Sequence, residues 1–246
     1  LIVPQEAGSL GNPKKKDKQR KIQDPNGFLA QSTAAFLLIA LNSMAYWFTH
    51  FTEQGEALLS DLILYPGNLI QGKFWCLITS GFIHSDGRHL LLNMFGLFVF
   101  GYIVQKKMGF SKAVFIYFGS LMLSMLSATV VYAAVLHKNV AIIGASGAVM
   151  GLMGVSVLMA PFSITYEMLF PIPTMFKGWL FLWADLKGFL GGEDDGVSHL
   201  THLFGFASII ILVYFLSDED KRKFTAGLLI NIVSLAAAVW LKARYF

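Results

Sequence analysis

Long apolar runs alternate with short polar breaks along this sequence, and that pattern limits what the chain can fold into. A helix needs roughly 20 mostly apolar residues to cross a bilayer. Stretches of this kind recur at Phe28 to Phe51, Arg88 to Gln105, Ser111 to Leu136, Val197 to Leu216 and Phe224 to about Leu241. Lipid offers no partner to a free backbone N–H or C=O, so each run is read as a helix. With 55% hydrophobic and 14% charged residues and a mean hydropathy of +0.60, the chain is too apolar for an ordinary soluble domain. An all-α, polytopic membrane helix bundle is expected.

Charge orients the bundle. Lys14, Lys15, Lys16, Lys18, Arg20 and Lys21 form a basic arm within residues 1–27, expected in the cytoplasm. The net charge of +4 therefore reads as membrane anchoring and not as a nucleic-acid footprint. The single cysteine, Cys76, excludes an intrachain disulfide, has no Cys or His partner nearby in sequence, and is taken as structural. No metal site and no cofactor are expected. Leu1 to Asp24 is polar and basic, so no cleavable leader is expected, and, the first residue being Leu and not Met, the true start is expected to lie upstream.

On this orientation the first span runs outward. Thr52 to Gly87 then forms an outer, partly embedded connection with short interfacial helices and a turn at Pro66-Gly67-Asn68. The second span returns to Lys106 and Lys107, and the third carries Gly119, Ser120, Ser124 and Ser127, small residues suited to close helix packing. Ser146 to Ala160 is short for a crossing, at about 22 Å, so its outer end must lie below the membrane surface. Gly144, Gly147, Gly151 and Gly154 repeat along one of its faces. Thr174 to Leu190 holds Lys177, Asp185 and Lys187 and is the least firmly embedded span, followed by an acidic outer turn at Glu193, Asp194 and Asp195. Asp218 to Lys223 reads as a charged inner turn before a seventh span.

Polar side chains are costly in a membrane and call for a reason. His89 and Asn93 lie at i and i+4 near the outer end of the second span, His202 lies just inside the sixth, and Ser146 begins the sunken fourth. At one depth these residues line one pocket, where histidine can take the proton of a serine nucleophile. The Ser146 amide at a helix N-terminus, with His89 and Asn93, supplies donors for an oxyanion. No carboxylate within the spans is placed to orient His202, Asp185 being on the weak fifth segment, so a Ser-His dyad is expected and not a triad. The Gly-x-Ser-x-Gly elbow of soluble hydrolases is absent, because Ala148 stands at its last glycine.

These residues resemble the rhomboid family of intramembrane serine proteases. Gly81-Phe82-Ile83-His84-Ser85-Asp86-Gly87-Arg88-His89-Leu90-Leu91-Leu92-Asn93 is similar to that family's second-helix motif, Gly144-Ala145-Ser146-Gly147 to its nucleophile motif, and His199-Leu200-Thr201-His202-Leu203-Phe204-Gly205 to its sixth-helix motif. The resemblance runs from about Phe28 to Leu216 and implies a six-helix core at residues 28–216, with an added helix in residues 217–246. It implies Ser146 as nucleophile, His202 as general base, and His89, Asn93 and the Ser146 amide as oxyanion hole. The implied reaction is endoproteolysis of transmembrane protein substrates within a lipid bilayer, without a cofactor. It also suggests the fifth helix as a lateral gate, against the ordinary reading of Trp179, Phe181 and Trp183 as a lipid-facing stripe. Two departures stand out: Trp75-Cys76 where the family has an aromatic-arginine pair, and Ile209 in place of a second glycine after Gly205.

His84, Gly144 and His199 are expected to support the site, His84 as a structural or water-retaining group. Met150 and Met153 are read as pocket lining or core, and His50 and His137 as solvated boundary residues. The expected setting is a bacterial inner (plasma) membrane with the N-terminus cytoplasmic; the oligomeric state is open. The alternative is a catalytically inactive membrane chaperone or adaptor of the same fold, which would have no need of both Ser146 and His202.

Overall fold

The computed structural model describes residues 27–165, 171–192 and 198–245. The basic arm and the acidic turn at Glu193, Asp194 and Asp195 lie outside the described residues, apart from Gly27 at the arm's end. The principal helices are α1 (Thr33–Phe51), α2 (Gly87–Met108), α3 (Phe110–Ala134), α4 (Ser146–Met159), α5 (Thr174–Gly191), α6 (His199–Ala207) and α7 (Asp218–Tyr245). A four-residue helix, Ile209–Leu212, and a 3-10 turn, Val213–Phe215, carry α6 onward. Among the described residues α1, α2, α3 and α7 are long and apolar enough to cross a membrane, while α4 and the stretch His199–Phe215 are apolar but shorter. The chain is a multi-pass membrane helix bundle.

Helix α4 sits at its centre. Every residue from Gly147 to Val157 is buried, as expected for a helix apolar on all sides. α2, α3, α5, α6 and α7 all pack against it, and α1 packs on α2 and α3. The glycine face works as its spacing predicts: Gly147 and Gly151 meet Ser124 and Ser120 of α3, while Gly154 meets Phe206 and Ile209 beyond it. On the α6 side Gly205 lies directly against the Gly147 carbonyl, leaving no room for a β-carbon. Ser208 Oγ closes the layer at 2.8 Å from Ser120 Oγ.

These contacts also set directions. Gly96 of α2 touches Val149 while Gly144 faces His89, and α6 meets α4 at Gly147 and again at Gly154. Helices α2, α4 and α6 therefore start from the same end of the bundle. α3 and α5 run the opposite way, α5 placing Gly178 on Val157 and Gly188 on His199.

Two sequence expectations change. Lys177 and Asp185 of α5 are 2% and 5% exposed, so this helix turns two of its three charges into the protein and does not sit loosely because of them. Asp218 to Lys223 is not a separate turn but the opening of α7. The Ser217 hydroxyl accepts from the Asp220 amide at 3.3 Å and donates to its carboxylate at 2.6 Å, while Asp220 also pairs with Lys112. Acidic residues there suit a helix N-terminus. α7 is fastened to α4: Gly227 lies on the Leu158 carbonyl, and Asn231 donates to the Val157 carbonyl at 3.2 Å while accepting from Trp179 Nε1 at 3.0 Å.

The α1–α2 connection contains the expected short helices, Glu53–Leu62, Pro66–Ile70 and Cys76–Thr79, and a 3-10 turn, Ser80–Phe82. Lys73 pairs with the Asp61 carboxylate at 2.6 Å, while Trp75 Nε1 and Cys76 Sγ donate to the Asp61 carbonyl at 2.8 and 3.3 Å. The loop thus has its own ties without the arginine that the resemblance leads one to expect. Ser80 is the deeper one: its hydroxyl accepts from the Leu64 amide at 3.0 Å and donates to the Ile142 carbonyl, and its own carbonyl accepts from the Gly144 amide at 3.0 Å.

Because the obstacle at Gly205 is backbone, Gly205→Ala is expected to cost about 1–3 kcal/mol or more, as overpacking does. Gly67→Ala, where a β-carbon would find its nearest neighbour at 3.6 Å, should be close to neutral. Thermal unfolding of both variants in detergent checks the contrast.

Candidate active site

Ser146 is the first residue of α4, after Ala145 at the cap position. The first amides of a helix have no intrahelical acceptor, so the Ser146 N–H and its neighbours face out of the helix end with the positive pole of its dipole. The chain reaches this point through Gly144 at φ +101°, a conformation open mainly to glycine. A β-carbon there would also stand 2.6 Å from His89 Nε2 and 3.7 Å from Asn93 Nδ2. Gly144 is thus the gap through which the α2 side chains reach the start of α4.

Helix α2 holds those two side chains in turn. Asp86 caps it, accepting from the His89 amide at 2.9 Å, a bond typically worth about 1 kcal/mol. His89 Nδ1 rests 3.2 Å from Ser85 Oγ, which leaves Nε2 toward Gly144. Asn93 Nδ2 gives one hydrogen to the His89 carbonyl at 3.1 Å and keeps the second.

His202 approaches from α6. Thr201 beside it and Gly205 one turn on both touch Gly147, the neighbour of Ser146, and His202 is near enough to His89 for their charges to interact. Ser146, His89, Asn93, Gly144 and His202 are thereby brought together at the shared end of α2, α4 and α6. The serine hydroxyl and the His202 ring make no hydrogen bond to each other here; such contacts commonly tighten only when substrate is present.

The residue that sequence reasoning set aside is Asp185. Its Oδ1 lies 2.9 Å from Nδ1 of His202 and 2.9 Å from Nδ1 of His199. The expectation that no carboxylate is placed on His202 is therefore corrected. The weak hydropathy of α5 was misleading because its charges point inward, and one signal was available: Gly178, Asp185 and Gly188 fall on one helical face, where a carboxylate within an apolar helix must find a partner.

His84 is buried at 1% exposure beside His89, with ring centroids 4.9 Å apart, and its Nδ1 faces the Phe82 carbonyl at 3.3 Å. Met150 and Met153 belong to the apolar core. His50 stacks on Tyr46 and is exposed, and His137 is exposed at φ +51°. Phe181 and Trp183 are exposed, whereas Trp179 is tied to Asn231. Cys76 is buried, which pushes its thiol up from its ordinary range. Among the described residues no group of three or more His, Cys, Asp or Glu is arranged to hold a metal ion.

The family model described as Rhomboid domain matches residues 71–219, a span that holds His84, His89, Asn93, Ser146, Asp185, His199 and His202. The chain belongs to the rhomboid family. Among curated proteins it is similar to a putative rhomboid protease, YdcA of Bacillus subtilis, 25% identical over 76% of this chain and 90% of the relative. It is likewise similar to the rhomboid protease AarA of Providencia stuartii, 26% identical over 80% of this chain and 77% of the relative. Rhomboid-like protein 11, chloroplastic, of Arabidopsis thaliana is 28% identical over 85% of this chain and 75% of the relative.

In this rhomboid, burial holds His84 in the connecting loop down to about 4 from an ordinary 6.5. Unfolded, the ring protonates near 6.5; folded, it stays neutral to about 4. Its contribution to stability is thus fully present above pH 6.5, falls as pH drops toward 4, and totals about 3 kcal/mol at 1.36 kcal/mol per unit. The stability of His84→Gln should vary less between pH 6.5 and 4 than that of wild type, measured by thermal unfolding in detergent.

Proposed function

We propose that this protein is an intramembrane serine endopeptidase that cleaves transmembrane protein substrates. The observation that supports the reading is the crossing of α4 and α6, where Thr201 and Gly205, flanking His202, lie against Gly147, next to the serine that opens α4, while His89 and Asn93 face Gly144 on its other side. The relatives named as rhomboid proteases add support.

The chemistry follows from these positions. Ser146 Oγ attacks the scissile carbonyl carbon as its proton passes to His202 Nε2, and the carbonyl π electrons move onto oxygen. The Ser146 amide, Asn93 Nδ2 and His89 Nε2 are the donors for that oxyanion, each worth about 2.7–4 kcal/mol where such donors have been removed. Collapse breaks the C–N bond, the proton on Nε2 leaves with the amine, and water repeats the sequence to free Ser146. Ser146 is half-buried at the bundle end, where water can reach it without crossing lipid. With the N-terminus in the cytoplasm this end faces outward, and the cut falls near the outer face of the membrane.

Purified protein in liposomes with a transmembrane substrate tests this. Ser146→Ala and His202→Ala are expected to abolish cleavage, and His89→Ala or Asn93→Ala to lower kcat by about 10²-fold. A fluorophosphonate should label wild type and not Ser146→Ala. Undiminished cleavage by Ser146→Ala overturns the reading, and a folded wild type that neither cleaves nor labels favours a client-binding adaptor.

A further inference from the structure

Resting on that reading, we infer that Asp185 is a positioning residue for His202, so that the site works as a serine–histidine pair oriented by a carboxylate from α5. The geometry carries this in three steps. A carboxylate oxygen accepts hydrogen bonds, and Oδ1 of Asp185 faces Nδ1 of both His199 and His202 at 2.9 Å. Each ring then carries its hydrogen on Nδ1, which leaves Nε2 of His202 as the lone-pair nitrogen that can take the serine proton. When it does, both His202 nitrogens carry hydrogen, and the positive charge formed lies against the carboxylate with no further proton transfer.

The contact is built into the packing. Asp185 is 5% exposed, and the side chains of His199 and His202 are 12% and 20% exposed, so the cluster is largely shielded from water. One helical turn separates the two histidines on α6, and Asp185 bridges them from the facing helix. Close approach is secured by Gly188, three residues beyond Asp185, which lies on the His199 ring where a β-carbon would not fit. His199 thereby holds the carboxylate that holds His202.

The test separates this role from folding and from the serine chemistry itself. In liposomes with a transmembrane substrate, Asp185→Asn is expected to lower kcat by about 10²- to 10⁴-fold, the upper figure being the loss when the corresponding carboxylate of a soluble triad becomes an amide. KM should stay within about threefold, and Asp185→Glu should recover part of kcat. ¹⁵N-histidine NMR of the wild-type protein reads the tautomer without any substitution: His202 should carry its hydrogen on Nδ1, and hydrogen on Nε2 alone overturns the inference even if Asp185→Asn does not fold. Full kcat in folded Asp185→Asn, with Ser146→Ala and His202→Ala dead, also overturns it and leaves the protease reading intact. Activity in Ser146→Ala removes the protease reading instead.

Discussion

A 14-residue helix of glycine, methionine and small aliphatic residues has no polar side chain but serine with which to hold its place. Between membrane helices the hydrophobic effect supplies little, because lipid tails are as apolar as the helices themselves, and association depends on close contact of surfaces. Helix α4 meets this condition by bringing backbone nearly onto backbone at Gly147 and Gly205, and again between Leu158 and Gly227. Once those contacts exist, the depth of Ser146 and its distance from α6 are settled together. Side chains of ordinary size at the glycines would push the helices apart and move the start of α4 away from α6.

The outer connection contributes in a different way. The Ser80 hydroxyl and backbone carbonyl join Leu64, Ile142 and Gly144, so one residue in the loop before α2 fixes the strand-like approach to α4. The serine is thus held from behind by helix packing and from in front by a loop hydrogen-bond relay. Its N-terminal position on α4 is maintained without a side-chain cap.

Much of this was legible in the sequence because membrane residence makes the signals coarse. Apolar runs of crossing length, a glycine repeat, and polar residues at one depth needed no tertiary information to read. What stayed hidden depended on which way a helix faces. Lys177 and Asp185 lower the hydropathy of α5 whether they point at lipid or at protein, and only the packing of Gly178 and Gly188 against α4 and α6 decides for the interior. The opening of α7 is hidden for a related reason: charge at Asp218 to Lys223 reads as a turn, whereas in the fold Ser217 accepts from the Asp220 amide and Asp220 pairs with Lys112.

Ile209 stands where the family resemblance leads one to expect a second glycine after Gly205. In the fold, the isoleucine Cγ1 lies 3.2 Å from where a β-carbon on Gly154 would stand. The bulk present on one helix is matched by its absence on the other. Side-chain volume at this level is therefore a joint property of two positions, and the tolerated residue at either depends on what its partner already occupies. Such a crossing can exchange which helix carries the bulky residue while the distance between their axes is preserved.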